Sequence, residues 1–213
     1  CYIFSCIVPI GQDASFANTT QYITGVTLNP NNGSKLGTFQ AAMQIRRNSR
    51  LNCFNSVAVG FPVGLILDNE KGATQTAATN GNLKLQNLFF AGMTILGSDI
   101  NKKYLDQLST DGKTIADETK ESFSSSFFKL AANNNKSYAN ISDLKLKQPN
   151  SLVASPSYAP STGSPLLNGA VFTDALLQSG FDKVTYAGAF ASDATSDDWT
   201  AGWANFDPQN TTY

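Results

Sequence analysis

The sequence predicts an all-β protein in which short strands stack as successive coils. Residues 2–68 contain short apolar segments separated by turn residues, and they show no helical periodicity. A pattern of apolar residues, asparagine and glycine then recurs after 32 residues. Asn, Ser, Thr and Gly are also abundant, as in extracellular β-rich proteins whose turns need residues that tolerate left-handed backbone.

The composition limits both the size and the chemistry of the protein. The chain has 213 residues, of which 41% are hydrophobic and 15% charged, and this predicts one folded domain. A formal net charge of -1 gives no overall basic field to hold nucleic acid, and no apolar run is long enough for a transmembrane segment. Because the chain contains no histidine, it lacks Ser-His-Asp triads, Cys-His dyads and His-rich metal sites.

Strand-length apolar segments open the chain, and turn sequences such as Asn-Pro-Asn-Asn-Gly and Arg-Asn-Ser separate them. These segments are residues 2–10, 22–28, 41–46, 51–59 and 64–67. In the fourth segment the positions predicted to face the interior are Leu51, Cys53, Val57 and Val59. Asn55 interrupts this series, as a polar residue at a bend does.

A second copy of the fourth segment follows 32 residues later. Leu83, Leu85, Asn87, Phe89, Ala91 and Gly92 align with Leu51, Cys53, Asn55, Val57, Val59 and Gly60. The amides of Asn55 and Asn87 would then lie at equivalent bends, where each can hydrogen-bond to its own coil and to the other. Residues 70–82 have no apolar pattern and predict a loop inserted between coils. Without that loop the repeat is about 20 residues, which suits a coil of three short strands.

Beyond Gly97 the pattern changes. Apolar residues at helical spacing predict a short amphipathic helix over residues 99–108, with Ser98 or Asp99 as its cap. Residues 110–160 are polar and rich in Asn, Ser and Lys, which predicts long excursions from the core.

A second short helix is predicted to begin at Thr173 and to stop at Gly180. The chain therefore divides into β-helix coils (1–97), long loop excursions with a short helix (98–165) and a C-terminal aromatic cap of the same domain (166–213).

Three cysteines leave several alternatives open. Cys1 and Cys6 lie on opposite faces if they share a strand, or form a bridge if a turn joins them. Cys1 also matches the lipid-modified start of a bacterial lipoprotein, but the apolar residues that follow it favour a chain that begins within a strand. Cys53 lies in an apolar stretch, which predicts a buried thiol.

Residues 20–213 resemble the C-terminal half of a family of exported Bacteroidetes proteins of largely unassigned function. The resemblance rests on residues 44–68, 85–93, 181–190 and 198–213, and its most specific part is the closing run Trp-Thr-x-Gly-Trp-x-Asn-Phe-Asp-Pro-Gln-Asn. It implies a right-handed parallel β-helix of which this chain holds the C-terminal coils. Family members are about twice as long, so we expect further sequence or another subunit to cover an open coil end.

The main basic cluster comprises Arg46, Arg47 and Arg50, which are all the arginines of the chain. Guanidinium groups bind uronate carboxylates in a bidentate manner, so these residues are candidate ligand-binding residues and candidate bases of a polysaccharide lyase. The alternative is that they solubilise an outer strand and pair with Asp68 or Glu70. No carboxylate pair recurs in both coils, which leaves a hydrolase without its two acids.

Aromatic residues are concentrated near the C-terminus. Trp199 and Trp203 are four residues apart and share one face if helical, so with Tyr186, Phe190, Phe206 and Tyr213 they form a candidate platform for sugar rings. The alternative is that these rings plug the final coil. The neighbouring aspartates Asp193, Asp197 and Asp198 match no metal-binding loop and predict a solvated turn.

These patterns favour a non-catalytic cell-surface or secreted β-helix protein that serves adhesion, glycan binding or envelope-complex scaffolding. The expected location is extracellular or on the outer-membrane surface, and the expected partner is a glycan or an envelope protein that covers the open coil end. The alternative is a β-helix carbohydrate-active enzyme that uses Arg or Lys. No Gly-rich phosphate loop and no cysteine cluster is present, so no metal or cofactor is predicted.

Overall fold

The computed structural model describes residues 3–5, 41–61, 63–69, 71–93, 95–99, 121–149, 156–206 and 210–212. These residues form a mainly β structure with two short α-helices, α1 (Thr74–Thr79) and α2 (Phe123–Phe128). The strands are β1 (Ile3–Ser5), β2 (Ala41–Ile45), β3 (Asn52–Phe54), β4 (Val57–Val59), β5 (Val63–Leu67), β6 (Lys84–Gln86), β7 (Phe89–Ala91), β8 (Ile95–Ser98), β9 (Lys136–Tyr138), β10 (Leu146–Gln148) and β11 (Ser157–Pro160). The predicted helix over 99–108 lies outside the described residues apart from Asp99.

Most strands belong to three small parallel sheets. The sheet orders are β1-β3-β6, β4-β7-β9 and β2-β5-β8, and each neighbouring pair is parallel. The strands β3, β4 and β5 enter the three sheets in turn, and β6, β7 and β8 enter the same sheets in the same order. The remaining pair, β10 and β11, is antiparallel.

The predicted 32-residue alignment is confirmed by the register of these sheets. Cys53 pairs with Leu85, and Val57 pairs with Phe89. The aligned glycines Gly60 and Gly92 have similar left-handed backbone, with φ of 71° and 66°. Such φ values are accessible to glycine without steric cost, which explains why both copies place it after the strand.

The bend between β3 and β4 decides which side chains face the central core. Asn55 has a left-handed φ of 50°, and the inward positions change parity across it. Cys53 and Ala58 therefore pack in the central hydrophobic cluster, whereas Val57 and Val59 pack on the opposite face of their sheet. The prediction that Val57 and Val59 continue the inward series was wrong, because alternation holds only within an uninterrupted strand.

The two aligned asparagines form a hydrogen-bonded ladder with a third. Asn87 Nδ2 donates to Asn55 Oδ1 at 2.7 Å, and Asn134 Nδ2 donates to Asn87 Oδ1 at 2.9 Å. All three residues have left-handed backbone, with φ between 50° and 55°. The contact between Asn55 and Asn87 was predicted. The contact of Asn134 was not, because Asn134 lies in a polar run with other asparagines.

Residues 70–82 are not simply a loop, as their lack of apolar pattern suggested. They contain helix α1, in which Thr74, Ala77 and Ala78 are buried. Ala77 and Ala78 contribute to the central cluster. Two adjacent small side chains produce no visible hydrophobic period, and so the pattern alone missed this helix.

The segment predicted as excursions, 98–165, also supplies core residues. Phe127 and Phe128 of α2 join the central cluster, and the Phe128 ring stacks on Phe90 with centroids 4.7 Å apart. Asp99 accepts hydrogen bonds from the backbone N–H of Phe123 and of Ser124, so it caps α2. The described part of this segment therefore contributes side chains to the core.

The predicted helix from Thr173 to Gly180 is shorter than expected. The structure has one turn of 3-10 helix at Ala175–Leu177, and its N-cap is Asp174 rather than Thr173. Asp174 also forms an ion pair of 2.7 Å with Lys84 of β6. The carboxylate thus caps the start of the turn and ties it to the first sheet.

Candidate functional site

The candidate site is a stack of three aromatic rings, Phe190, Trp199 and Trp203, here called the tryptophan stack. Residues 198–204 form successive turns in which Ala201 N–H donates to Asp198 O and Ala204 N–H donates to Thr200 O. These turns place side chains four residues apart on one side of the chain. The predicted common face of the two tryptophans is therefore confirmed, although the segment is not a regular helix.

The rings contact one another in sequence. Phe190 and Trp199 have centroids 5.5 Å apart with 27° between ring planes, and Trp199 and Trp203 have 5.5 Å and 28°. The exposed fraction rises along the stack, from 8% for Phe190 to 52% for Trp199 and 68% for Trp203. The stack thus begins at the core and ends in solvent at Trp203.

Backbone carbonyls hold both indoles in orientation. Trp199 Nε1–H donates to Ala189 O at 2.9 Å, and Trp203 Nε1–H donates to Trp199 O at 2.6 Å. With the polar edge of each ring bound, the apolar surface is what the ring presents to solvent. A preoriented, exposed indole face suits stacking against the C–H face of a sugar ring.

The exposure of Trp199 and Trp203 does not support the alternative in which these two rings act as a plug. Trp199 and Trp203 do not plug the core, and Phe127 and Phe128 of α2 pack there instead. Phe206 is exposed and meets Tyr158 edge-on at 6.3 Å, while Tyr213 lies outside the described residues.

Tyr186, the third predicted platform residue, is half-buried. Among the ring pairs found in the described part of the chain, none joins Tyr186 to the tryptophan stack. Phe190, another ring of the predicted platform, packs on Trp199 and is the buried end of the stack.

The segment that carries the tryptophan stack contains three carboxylates. The charged residues of segment 190–206 are Asp193, Asp197 and Asp198. Asp197 accepts a hydrogen bond from the Ser192 hydroxyl, and Lys147 Nζ donates to the Asp193 carbonyl oxygen at 3.2 Å.

Asp198 directly precedes the stack and is exposed. Its Oδ1 accepts hydrogen bonds from the hydroxyl and from the backbone N–H of Thr200. The Thr200 hydroxyl, further backbone N–H groups and the charge of Lys147 together lower the pKa of Asp198 below its ordinary value. The carboxylate is therefore ionised at neutral pH. Among the described residues, no group of three or more metal-ligating side chains is arranged to hold an ion.

The structure separates the three arginines by role. Arg46 Nε lies 3.4 Å from the carboxylate of Asp68, which is buried. Arg47 and Arg50 are exposed, and Arg47 has left-handed backbone in the turn after β2. The alternative that an arginine of this cluster pairs with Asp68 is confirmed for Arg46.

Lys136 is a cation beside the asparagine ladder that the sequence did not single out. Lys136 Nζ lies 4.5 Å from the centroid of the Phe89 ring and donates to Asn87 Oδ1 at 3.2 Å. Burial lowers the pKa of this lysine. A single lysine in a polar run carries no sequence signal, because its neighbours come from β7 and from the asparagine ladder.

An apolar cavity of about 200 Å³ lies among β2, β3 and β4, and Met43, Cys53 and Phe90 line part of it. Burial raises the pKa of the Cys53 thiol, which favours the unreactive protonated form. The cavity wall is therefore hydrophobic and holds no activated nucleophile at this position.

In the described part of the chain, no helix has the length and apolar character needed to span a membrane. Comparison of the chain with protein-family models, with curated proteins and with solved structures gave no match.

Proposed function

We propose that this chain is part of a non-catalytic parallel β-helix protein of the bacterial cell surface that binds glycans. The proposal places it outside the cell or on the outer-membrane surface, in keeping with its resemblance to exported Bacteroidetes proteins. Its ligand would be a surface or environmental polysaccharide, and its role adhesion or glycan capture.

The strand arrangement supports the β-helix part of the proposal. Two successive sets of three strands enter three parallel sheets in the same order. Asn55 and Asn87, which are hydrogen-bonded to each other between the two sets, are 32 positions apart in the sequence. Parallel stacking of this kind, with asparagines aligned at equivalent bends, is typical of solenoids. A right-handed connection is the usual one between parallel strands.

The observation that carries the glycan-binding proposal is the exposed end of the tryptophan stack. Trp203 is 68% exposed although it is the largest type of apolar side chain. A solvent-exposed indole that is held by a hydrogen bond and by a neighbouring ring loses little conformational entropy when a ligand stacks on it. Sugar rings present an apolar C–H face that can stack on such an indole.

The lyase alternative has less support. Arg46 forms an ion pair with the buried carboxylate of Asp68. This pairing gives Arg46 a structural role and makes it a poor candidate for a catalytic base. Arg47 and Arg50 would have to act from exposed positions, outside any enclosed pocket that the described residues show around them. Incubation with polyuronates tests this alternative, since a lyase would release unsaturated products that absorb ultraviolet light.

A glycan array with the purified chain tests the proposal. We expect binding to at least one class of polysaccharide, and about a tenfold loss of affinity in Trp203→Ala, which corresponds to about 1.4 kcal/mol. Leu130→Ala is the matched control, because Leu130 is also a large exposed apolar residue but lies at the end of α2. Absence of binding to every glycan, or equal losses in both variants, would overturn the proposal.

A further inference from the structure

We propose that the tryptophan stack selects uncharged sugars, with one pyranose ring on Trp203 and a sugar hydroxyl donating to the carboxylate of Asp198. This inference rests on the proposed function and names the ligand class of the same site. It excludes uronic acids and sulfated sugars as preferred ligands.

The geometry of the stack limits it to one sugar ring. Trp199 is the middle ring of the stack, and its ring contacts both Phe190 and Trp203. Trp203 ends the series and is the most exposed of the three. The remaining free face is thus one indole, which matches the size of one pyranose.

Hydrogen bonds to this sugar must come from groups other than the indoles. Both indole N–H groups already donate to backbone carbonyl oxygens of Ala189 and Trp199. Asp198 precedes the stack, and its Oδ1 is occupied by Thr200. Asp198 is exposed, and its carboxylate has more lone pairs than Thr200 and Ala201 fill, so it can accept a further hydrogen bond from a sugar hydroxyl.

The charge around the stack decides between neutral and acidic ligands. Segment 190–206 carries three aspartates and neither lysine nor arginine. Lys147 approaches it from outside, where its Nζ donates to the Asp193 carbonyl oxygen, and its single positive charge offsets one of the three negative charges. A negative rim repels carboxylate and sulfate groups, whereas sugar hydroxyls donate favourably to an ionised carboxylate.

Titration calorimetry with matched oligosaccharides tests the inference. The probes are neutral gluco- or galacto-oligosaccharides and oligogalacturonates of the same length. We expect wild-type protein to bind the better neutral series at least about tenfold more tightly than the acidic series. Trp203→Ala should weaken binding of both series about tenfold.

Asp198 variants separate its charge from its hydrogen bonding. Asp198→Asn keeps an oxygen for Thr200 and loses the charge, so we expect the preference for neutral over acidic ligands to fall several-fold. Asp198→Ala should also lower neutral affinity about tenfold. Asp182→Asn is the charge-matched control, since Asp182 is exposed and lies outside segment 190–206, and it should leave the preference unchanged. Circular dichroism verifies that each variant is folded.

The possible outcomes separate this inference from the function on which it rests. Tighter binding of the acidic series, or full neutral affinity in Asp198→Ala, would overturn the ligand class while glycan binding through Trp203 stands. Absence of binding by either series, together with an empty glycan array, would overturn the proposed function. A concentration-dependent dimer that Trp203→Ala abolishes would assign the stack to self-association and overturn both.

Discussion

Asn55 shows how much of this structure depends on single side chains. Its Oδ1 accepts from the backbone N–H of Val171 at 2.8 Å, and its Nδ2 donates to Val171 O at 3.0 Å, across 116 residues of sequence. The same Oδ1 accepts from Asn87. One buried amide therefore joins two strand bends to the C-terminal segment, and its left-handed backbone turns the chain between β3 and β4.

We predict that Asn55→Ala costs about 4–5 kcal/mol of unfolding free energy. Loss of the hydrogen bonds accounts for about 1 kcal/mol each, and alanine in the left-handed region adds about 1–2 kcal/mol. Asn55→Gly removes the same hydrogen bonds without the backbone strain, so it should cost less. Urea denaturation followed by circular dichroism measures both, and an equal or greater loss for glycine would contradict this account.

Glu121 provides a pH-dependent contribution at the start of α2. Burial raises its pKa, but the hydrogen bonds and charge of Lys129 and the hydroxyls of Ser125 and Ser126 outweigh burial, so the net pKa is lowered. Because the folded pKa lies below the unfolded value of about 4.3, the stabilisation is complete above that value. It is lost as the pH falls through the lowered pKa.

Glu121→Gln tests this contribution. At neutral pH we expect a loss of less than about 1 kcal/mol, since the pair is largely exposed and screened. At a pH below the folded pKa, both proteins should unfold with the same free energy. Denaturation curves at the two pH values measure the difference, and a loss that persists in acid would show that Glu121 acts without its charge.

At the scale of elements, α2 is the helix that covers the central cluster. Ser122 caps it through a hydrogen bond from Ser125 N–H, and Asp99 binds the N–H groups of its first turn. The close approach of Gly97 supports this docking, since a Cβ there would lie 2.6 Å from the backbone nitrogen of Ser125. The element read as loop from its polarity thus protects the core.

We predict that Phe128→Ala strongly lowers the stability of the protein, whereas Trp203→Ala lowers glycan binding and leaves stability nearly unchanged. Phe128 is fully buried against Phe90, so its truncation should cost about 3–5 kcal/mol. Trp203 is mostly exposed, so its truncation should change stability by no more than about 0.5 kcal/mol. Thermal or urea denaturation measures both variants. A large loss of unfolding free energy in Trp203→Ala would instead indicate that Trp203 plugs the final coil.

At the scale of the whole molecule, protection should follow the parallel sheets. The strands β4 and β7 are buried on both faces, since their side chains alternate between the central cluster and a second cluster that includes Ile141, Leu144 and Leu166. A shift in register would disturb both faces at once, so this sheet is strongly specified. Segment 190–206 is instead held by local turns.

Hydrogen exchange measured by mass spectrometry tests this distribution. We expect amides of β4 and β7 to exchange at least about 100-fold more slowly than those of segment 190–206, because opening them requires disruption of two clusters. Leu130→Ala should not alter this order. Comparable protection of the two regions would mean that the tryptophan stack is part of the same cooperative unit as the sheets.

Part of the fold and part of the site could be predicted from the residues themselves. Asn55, Asn87 and the glycines that follow them indicated the register, because turn chemistry is local and recurs with the repeat. The four-residue spacing of Trp199 and Trp203 indicated a shared face. These features depend on short stretches of chain, and for that reason the sequence alone was sufficient.

Other features depend on segments that are distant in sequence, and only the tertiary structure decided them. The bend at Asn55 reversed the faces of Val57 and Val59, and α2 rather than the C-terminal aromatics closed over Phe90. Burial is a relation between two surfaces, so a pattern in one segment cannot name its partner. The sequence determined where the chain turns and which residues are apolar, whereas packing decided which of them remain exposed.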